Sequence, residues 1–139
     1  MLCVKTMIKK SPIAGIGLFA AEPILKGSIV WEFEPIIDIL LTQKQLDKFP
    51  DFEREQLLNY VFLDPYHRMY MLCGDDARFF NHSVDNNCDD STKDITIATR
   101  DIDLGEELTV NYNELWFGKN TKLYKTVNFT PVLQEKQIS

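Results

Sequence analysis

The residues best equipped for chemistry cluster in one stretch, Gly74 to Cys88, which reads Gly-Asp-Asp-Ala-Arg-Phe-Phe-Asn-His-Ser-Val-Asp-Asn-Asn-Cys. Arg78, Asn81, His82 and Ser83 bring a cation, an amide, an imidazole and a hydroxyl beside two consecutive aromatics, Phe79 and Phe80. Hydrogen-bonding groups interleaved with large apolar ones suit a wall that is half core and half ligand pocket. The stretch follows neither a helical nor a strand period, and turn formers flank it, Gly74-Asp75-Asp76 before and Asp85-Asn86-Asn87 after. Such an irregular polar run must satisfy its backbone groups somewhere, and a bound ligand is one candidate.

Two shorter runs also carry candidates: Ala14-Gly15-Ile16-Gly17-Leu18-Phe19 upstream and Gly105-Glu106-Glu107-Leu108-Thr109-Val110-Asn111-Tyr112 downstream. A Gly-x-Gly in a dinucleotide fold needs a helix after it. Here Leu18 to Ala21 is followed by Pro23, a turn at Lys26-Gly27 and a strand from Ser28 to Phe33, so that reading is set aside. Glycines between strands serve either a tight turn or a close approach of backbone amides to a ligand.

The run Ala77-Arg78-Phe79-Phe80-Asn81-His82-Ser83 with Asn87-Cys88 resembles the signature of SET-domain protein lysine methyltransferases. The two other runs stand in that family's order, so the resemblance spans residues 5 to 117. It implies a mostly β, β-clip-like SET fold of several small twisted sheets, with a helical insert and a C-terminal pseudoknot. It also implies S-adenosyl-L-methionine as cofactor and transfer of methyl groups to a protein lysine side chain, a histone tail being the natural guess. Tyr112 matches the family's catalytic tyrosine, and the knot would bring it beside Asn81 and His82. Ala14, Gly15, Ile16, Gly17, Arg78, Phe79, Asn81 and His82 fall at cofactor-binding positions. Asn81 would bond the amino-acid end of the cofactor, and His82 would act mainly through its backbone, its ring held by a structural hydrogen bond. Arg78 would hold the carboxylate or brace the loop. Glu106 and Glu107 look like a general-acid pair, but beside a glycine turn they are expected to be solvated or structural, with Glu107 bracing the knot. The alternative is a catalytically silent peptide-binding module of the same fold. A metal-dependent or small-molecule enzyme is a third reading without a ligand cluster to support it.

The chain departs from the family pattern in three places. Asn86 stands where proline is usual before Asn-Cys, and Val110 stands where Phe or Tyr is frequent, a position that influences how many methyls are added. An aromatic from the insert, Tyr66 or Tyr70 is the expected substitute in the channel. No cysteine follows Cys88, so the family's zinc segment after the tyrosine is expected to be absent, and the chain resembles the minimal bacterial or viral type. The lid over the lysine channel would fall to Trp116, Phe117 and the residues after them.

The elements that must position these residues read as short strands. Cys3 to Ile8 is a strand, and Lys9-Lys10-Ser11-Pro12 a break. Thr42 with Gln45 makes a capping box for a helix from Gln43 to Phe49, and Asp51 to Leu63 continues as a helix with Leu57, Leu58, Val61 and Phe62 at helical spacing. This is the insert, residues 42 to 64. Further strands are expected at Tyr66 to Cys73, Asp94 to Thr99 and Leu108 to Tyr112. Ala20-x-x-x-Ile24-x-x-Gly27 and Ala98-x-x-x-Ile102-x-x-Gly105 share a spacing, which either two similar hairpin units on one core or coincidence would explain. Residues 1–117 form the expected domain. Trp116 and Phe117 are expected to pack back onto the domain near the adenine end of the cofactor, and the tail, 118–139, which holds Tyr124 and Phe129, to be partly packed with its polar end disordered.

A length of 139 residues accommodates one domain with a real core. Hydrophobic content of 45% and charged content of 26% are those of an ordinary globular protein. No apolar run reaches the roughly 20 residues of a spanning helix, and Met1 to Lys5 lacks a signal-peptide core. The expected compartment is the cytoplasm, with a nuclear or host-delivered location as alternatives. Cys3, Cys73 and Cys88 are an odd number without paired spacing, which argues against a disulfide framework. Cys73, His82 and Cys88 stand too far apart for a zinc knuckle, so no metal is expected. The net charge of −6 disfavours direct nucleic-acid binding and suits a basic, lysine-containing peptide or protein partner, while modest acidity also serves plain solubility. Oligomeric state has no signal in the composition.

Overall fold

The computed structural model describes residues 1–112. The expectations for Trp116, Phe117, Tyr124, Phe129 and the tail lie outside the described residues. Within them the chain is mostly strand, arranged in two two-stranded and two three-stranded sheets, with two short helices. No helix among these residues is long and apolar enough to cross a membrane.

The first sheet is the antiparallel hairpin of β1 (Thr6–Lys10) and β2 (Ile16–Ala20). Lys9 and Lys10, expected in a break, extend β1 because their backbones pair with Gly17 and Ile16. An exposed edge strand tolerates lysine, which also blunts edge-to-edge association. The second sheet orders β3 (Ile29–Glu32), β9 (Ile95–Ala98) and β8 (Cys88–Asp89), all antiparallel.

The shared Ala-Ile-Gly spacing has a structural cause. Ile24 and Ile102 exchange backbone hydrogen bonds of 2.9 and 2.8 Å. Gly27 N–H donates to Ala98 O as Gly105 N–H donates to Ala20 O, and Ala98 N–H donates to Ser28 O as Ala20 N–H donates to Glu106 O. Gly27 and Gly105 both take φ +89°, which only glycine adopts without strain. Ala20, Ile24, Ala98 and Ile102 are buried in one cluster with Leu18 and Leu108. Two hairpin-like units therefore meet about an approximate two-fold axis.

The insert differs from the sequence expectation. The helix α1 (Gln43–Asp47) is present with its Thr42–Gln45 capping box, and α2 (Asp51–Leu58) comes after Pro50. The helix does not continue to Leu63: Val61–Asp64 is a strand, β5, that pairs with β6 (Met69–Leu72), whose other side takes β4 (Ile39–Leu41). Leu57, Leu58 and Val61 fit a helical stripe, but Val61 and Leu63 also alternate into the core, and strand pairing decides the outcome. The strand expected from Tyr66 begins only at Met69. Arg68 turns the chain at φ +58° with its N–H on Asp64 O. The last sheet joins β7 (Asn81–His82) in parallel to β10 (Thr109–Val110), a shorter strand than expected.

Candidate active site

The stretch from Gly74 is shaped by its own turns. Asp75 caps a 3₁₀ turn at Asp76–Phe79, its carboxylate accepting from Ala77 N–H at 3.1 Å. Phe80 then leads into β7, and the parallel register pairs Asn81 with Thr109 and His82 with Val110. That crossing fixes Tyr112. Its N–H donates to His82 Nδ1 at 3.0 Å, its hydroxyl donates to Phe80 O at 2.6 Å, and its ring stands 5.3 Å from the imidazole. Tyr112 also packs against both the insert core and the central core. The closeness implied for Tyr112 and His82 is thus present, 30 residues apart in sequence, with Asn81 the neighbour of His82 in β7.

Asn81 faces the glycine loop. Its Nδ2 donates to Ala14 O at 3.2 Å, to Ile16 O at 3.4 Å and to Glu107 Oε2 at 2.9 Å. Three acceptors around one amide nitrogen settle which way the side chain points, and they leave Oδ1 as the atom it offers to a ligand. Gly15 reverses the loop at φ +47°. Gly17 is required for another reason: a Cβ there would lie 2.3 Å from Glu107 Oε2.

Asn87, read in the sequence as a turn former and as part of the Asn-Cys end of the signature, is 1% exposed and bonded on every side. It donates to Glu107 O at 2.8 Å and accepts from Thr109 N–H at 2.9 Å, tying the end of the stretch to β10. Glu106 is a turn brace that accepts from Asp103 N–H and stands 3.6 Å from Arg100, so it is not half of an acid pair.

Val110, Phe80 and Tyr112 line a cleft of about 860 Å³, its open mouth included. β5 borders it. Just before that strand, Tyr60 lies under the Arg78 guanidinium, 5.5 Å from ring centroid to Cζ, and Phe79 lies 5.0 Å from the same carbon. Arg78 makes no ion pair among the described residues. At the other end of β5, about 10 Å on by strand rise, Asp64 meets Asp94 through His67, whose ring nitrogens face the two carboxylates. Asp90 lines the same region, so one end of the cleft is cationic and the other acidic. Nothing in the sequence pointed to Tyr60 or to these aspartates as cleft residues, because strand and turn partners alone bring them there. Neither Tyr66 nor Tyr70 substitutes for an aromatic at Val110. The Tyr66 hydroxyl donates to Ser91 O, and buried Tyr70 donates to Gln43. Tyr60, from the insert, is the aromatic that lines the cleft.

Two cysteines are buried and chemically quiet. Burial pushes the Cys88 thiol up to about 12 and that of Cys73 higher still, which keeps both protonated. Burial also lowers the His82 pKa, and the ring must in any case keep a lone pair on Nδ1 for Tyr112 N–H. A lowered folded-state value means that the unfolded chain takes up the proton first as pH falls. The His82 contribution to stability is therefore complete above about pH 6.5 and declines below it. Wild type should lose a few more degrees of melting temperature between pH 7 and pH 5 than His82→Asn does. Parallel melting curves across that range would contradict this account of the ring.

The SET domain profile matches residues 15–113. Over 112 residues the chain is 30% identical to the human histone-lysine N-methyltransferase 2D, covering 76% of this chain, and equally to its mouse counterpart. The chain spans about 2% of the length of these curated relatives. Among solved structures, a humanized mutant of the Chaetomium thermophilum Polycomb Repressive Complex 2 with a bound inhibitor aligns with TM-score 0.59 and 26% identity, over 81% of this chain and 15% of that one. A Plasmodium falciparum chain, described as a candidate histone methyltransferase, aligns with TM-score 0.57 over 82% of this chain and 97% of that one. At 20% identity it supports the fold alone.

Proposed function

Because the chain belongs to the SET-domain family, we propose that it is a protein-lysine N-methyltransferase that uses S-adenosyl-L-methionine. The observation that carries this reading is Tyr112, held by Phe80 O and His82 at the strand crossing, on a cleft with one cationic and one acidic end. The cofactor supplies a methyl group already activated on a sulfonium.

The residues present fit that group. Asn81 Oδ1 is an acceptor for its ammonium, and backbone at Ala14, Gly15, Ile16 and Gly17 lies exposed or without room for a side chain. The Arg78 guanidinium suits its carboxylate, Phe79 and Tyr60 offer apolar faces, and His82 contributes chiefly by fixing Tyr112. The remaining task is to present a neutral amine. An unperturbed lysine of pKa near 10.4 costs about 4.6 kcal/mol to hold neutral at pH 7, and an apolar channel lowers that cost. The acidic end at Asp64, Asp90 and Asp94 draws in a basic peptide. β5, the edge of its sheet, gives that peptide a strand to pair with.

Calorimetric titration of S-adenosyl-L-methionine, followed by mass spectrometry of a mixed set of histone-tail peptides, tests the proposal. Binding and a mass gain of 14 Da per methyl, about the mass of CH₂, are expected on lysine. Cofactor binding without any methylated peptide would favour the silent peptide-binding module instead. Val110 lines the cleft together with Tyr112. Val110→Phe should shift the products toward fewer methyls per lysine, by severalfold in the ratio of higher to lower states. An unchanged product distribution would show that this position does not gauge the amine.

A further inference from the structure

Ser11 lies before the family match, and neither it nor Glu107 is one of the expected site residues, yet both stand directly behind Asn81. Ser11 Oγ accepts from Ile13 N–H at 2.9 Å and from Ala14 N–H at 3.4 Å. With its lone pairs so engaged, the hydroxyl proton goes to the Glu107 carboxylate, whose oxygens lie 2.9 and 2.8 Å away. Glu107 Oε2 in turn accepts from Asn81 Nδ2 at 2.9 Å. Ser11 is 8% exposed, and its bonds to Glu107 and the bond from Asn81 to Glu107 are part-buried, a setting in which charge-assisted hydrogen bonds are stronger than in open solvent. Gly17 has no Cβ to displace the carboxylate.

Three segments distant in sequence thus converge on one side chain. We propose that Ser11 and Glu107 are positioning residues for the cofactor: they lock the Asn81 amide so that its Oδ1 faces the ammonium of the bound methionine moiety. The Glu107 charge behind the amide polarises Oδ1 toward that cation. The inference rests on the cofactor reading above and adds to it how the amino-acid end is recognised.

The test compares two ligands by calorimetry, S-adenosylhomocysteine and 5′-methylthioadenosine, the second lacking the amino-acid end. Glu107→Gln keeps the shape and removes the charge. It should weaken S-adenosylhomocysteine about tenfold and leave 5′-methylthioadenosine within twofold. Ser11→Ala, the milder change, should show the same selectivity at about threefold, and it keeps the question open to experiment should Glu107→Gln fold poorly. Equal weakening of both ligands would assign the pair a general structural role and overturn the inference, as would unchanged binding of both. Wild type that binds neither ligand would instead remove the cofactor reading, and this inference with it.

Discussion

Tyr112→Phe should lower the rate of lysine methylation by about 100-fold or more while leaving cofactor affinity within about threefold. The phenol proton is committed to Phe80 O at 2.6 Å, so toward an incoming amine the hydroxyl can act only as an acceptor. An acceptor at this place can hold one N–H of an incoming amine and so turn its lone pair along the line of transfer. Loss of that restraint returns the amine to a broad range of orientations, and misplacements of an ångström are worth about 100-fold. Phenylalanine keeps the packing against both cores and the backbone bond to His82, so the variant should fold and melt near wild type. The measurement is single-turnover methylation with the cofactor dissociation constant taken in parallel. Turnover within threefold of wild type would sink the orienting role. A matched loss of cofactor affinity would make Tyr112 a cofactor contact instead.

The sequence made some parts of this arrangement legible and concealed others, for physical reasons. The capping box at Thr42 is a local signal, and it survives because local hydrogen bonds suffice to form it. The Ala-Ile-Gly echo is legible because both copies serve the same turn, with positive-φ glycines that tolerate few replacements. Val61 to Asp64 misled because a buried strand and a short helix share an apolar pattern, and only the partner β6 distinguishes them. Tyr112, Asn81 and His82 were found through motif resemblance, since nothing local says that residues 30 apart will share a hydrogen bond. Ser11 carried no signal at all. Its role depends on a carboxylate 96 residues later. The acidic end of the cleft is of the same kind, assembled from Asp64 and Asp94 by a histidine between them.

Gly74→Ala should be the most destabilising small substitution, costing about 3 kcal/mol and about 10 °C of melting temperature. In the sequence Gly74 reads as a turn former, but its φ is not in the left-handed region, so conformational freedom is not what it provides. It is needed because the chain passes close to Ile37. A Cβ at Gly74 would lie 2.0 Å from Ile37 O and 2.9 Å from Ile37 Cγ2. A rotamer change could move the methyl but not the carbonyl, so the backbone must separate. That separation also breaks the 3.2 Å bond from Gly74 N–H to Asp38 Oδ1. Asp38 is 3% exposed, and a buried carboxylate deprived of a donor carries the desolvation cost of the lost partner. The disturbance enters at the first residue of the stretch that carries Arg78, Asn81 and His82, so cofactor affinity should fall along with stability. Gly15→Ala is the control: its Cβ would meet nothing within 4 Å, and only the strain of φ +47° would be felt, about 1 kcal/mol. Urea denaturation of the two variants separates close approach from turn strain. If Gly74→Ala proves as mild as Gly15→Ala, the turn at Ile37 is free to yield, and the site does not depend on that contact for its shape.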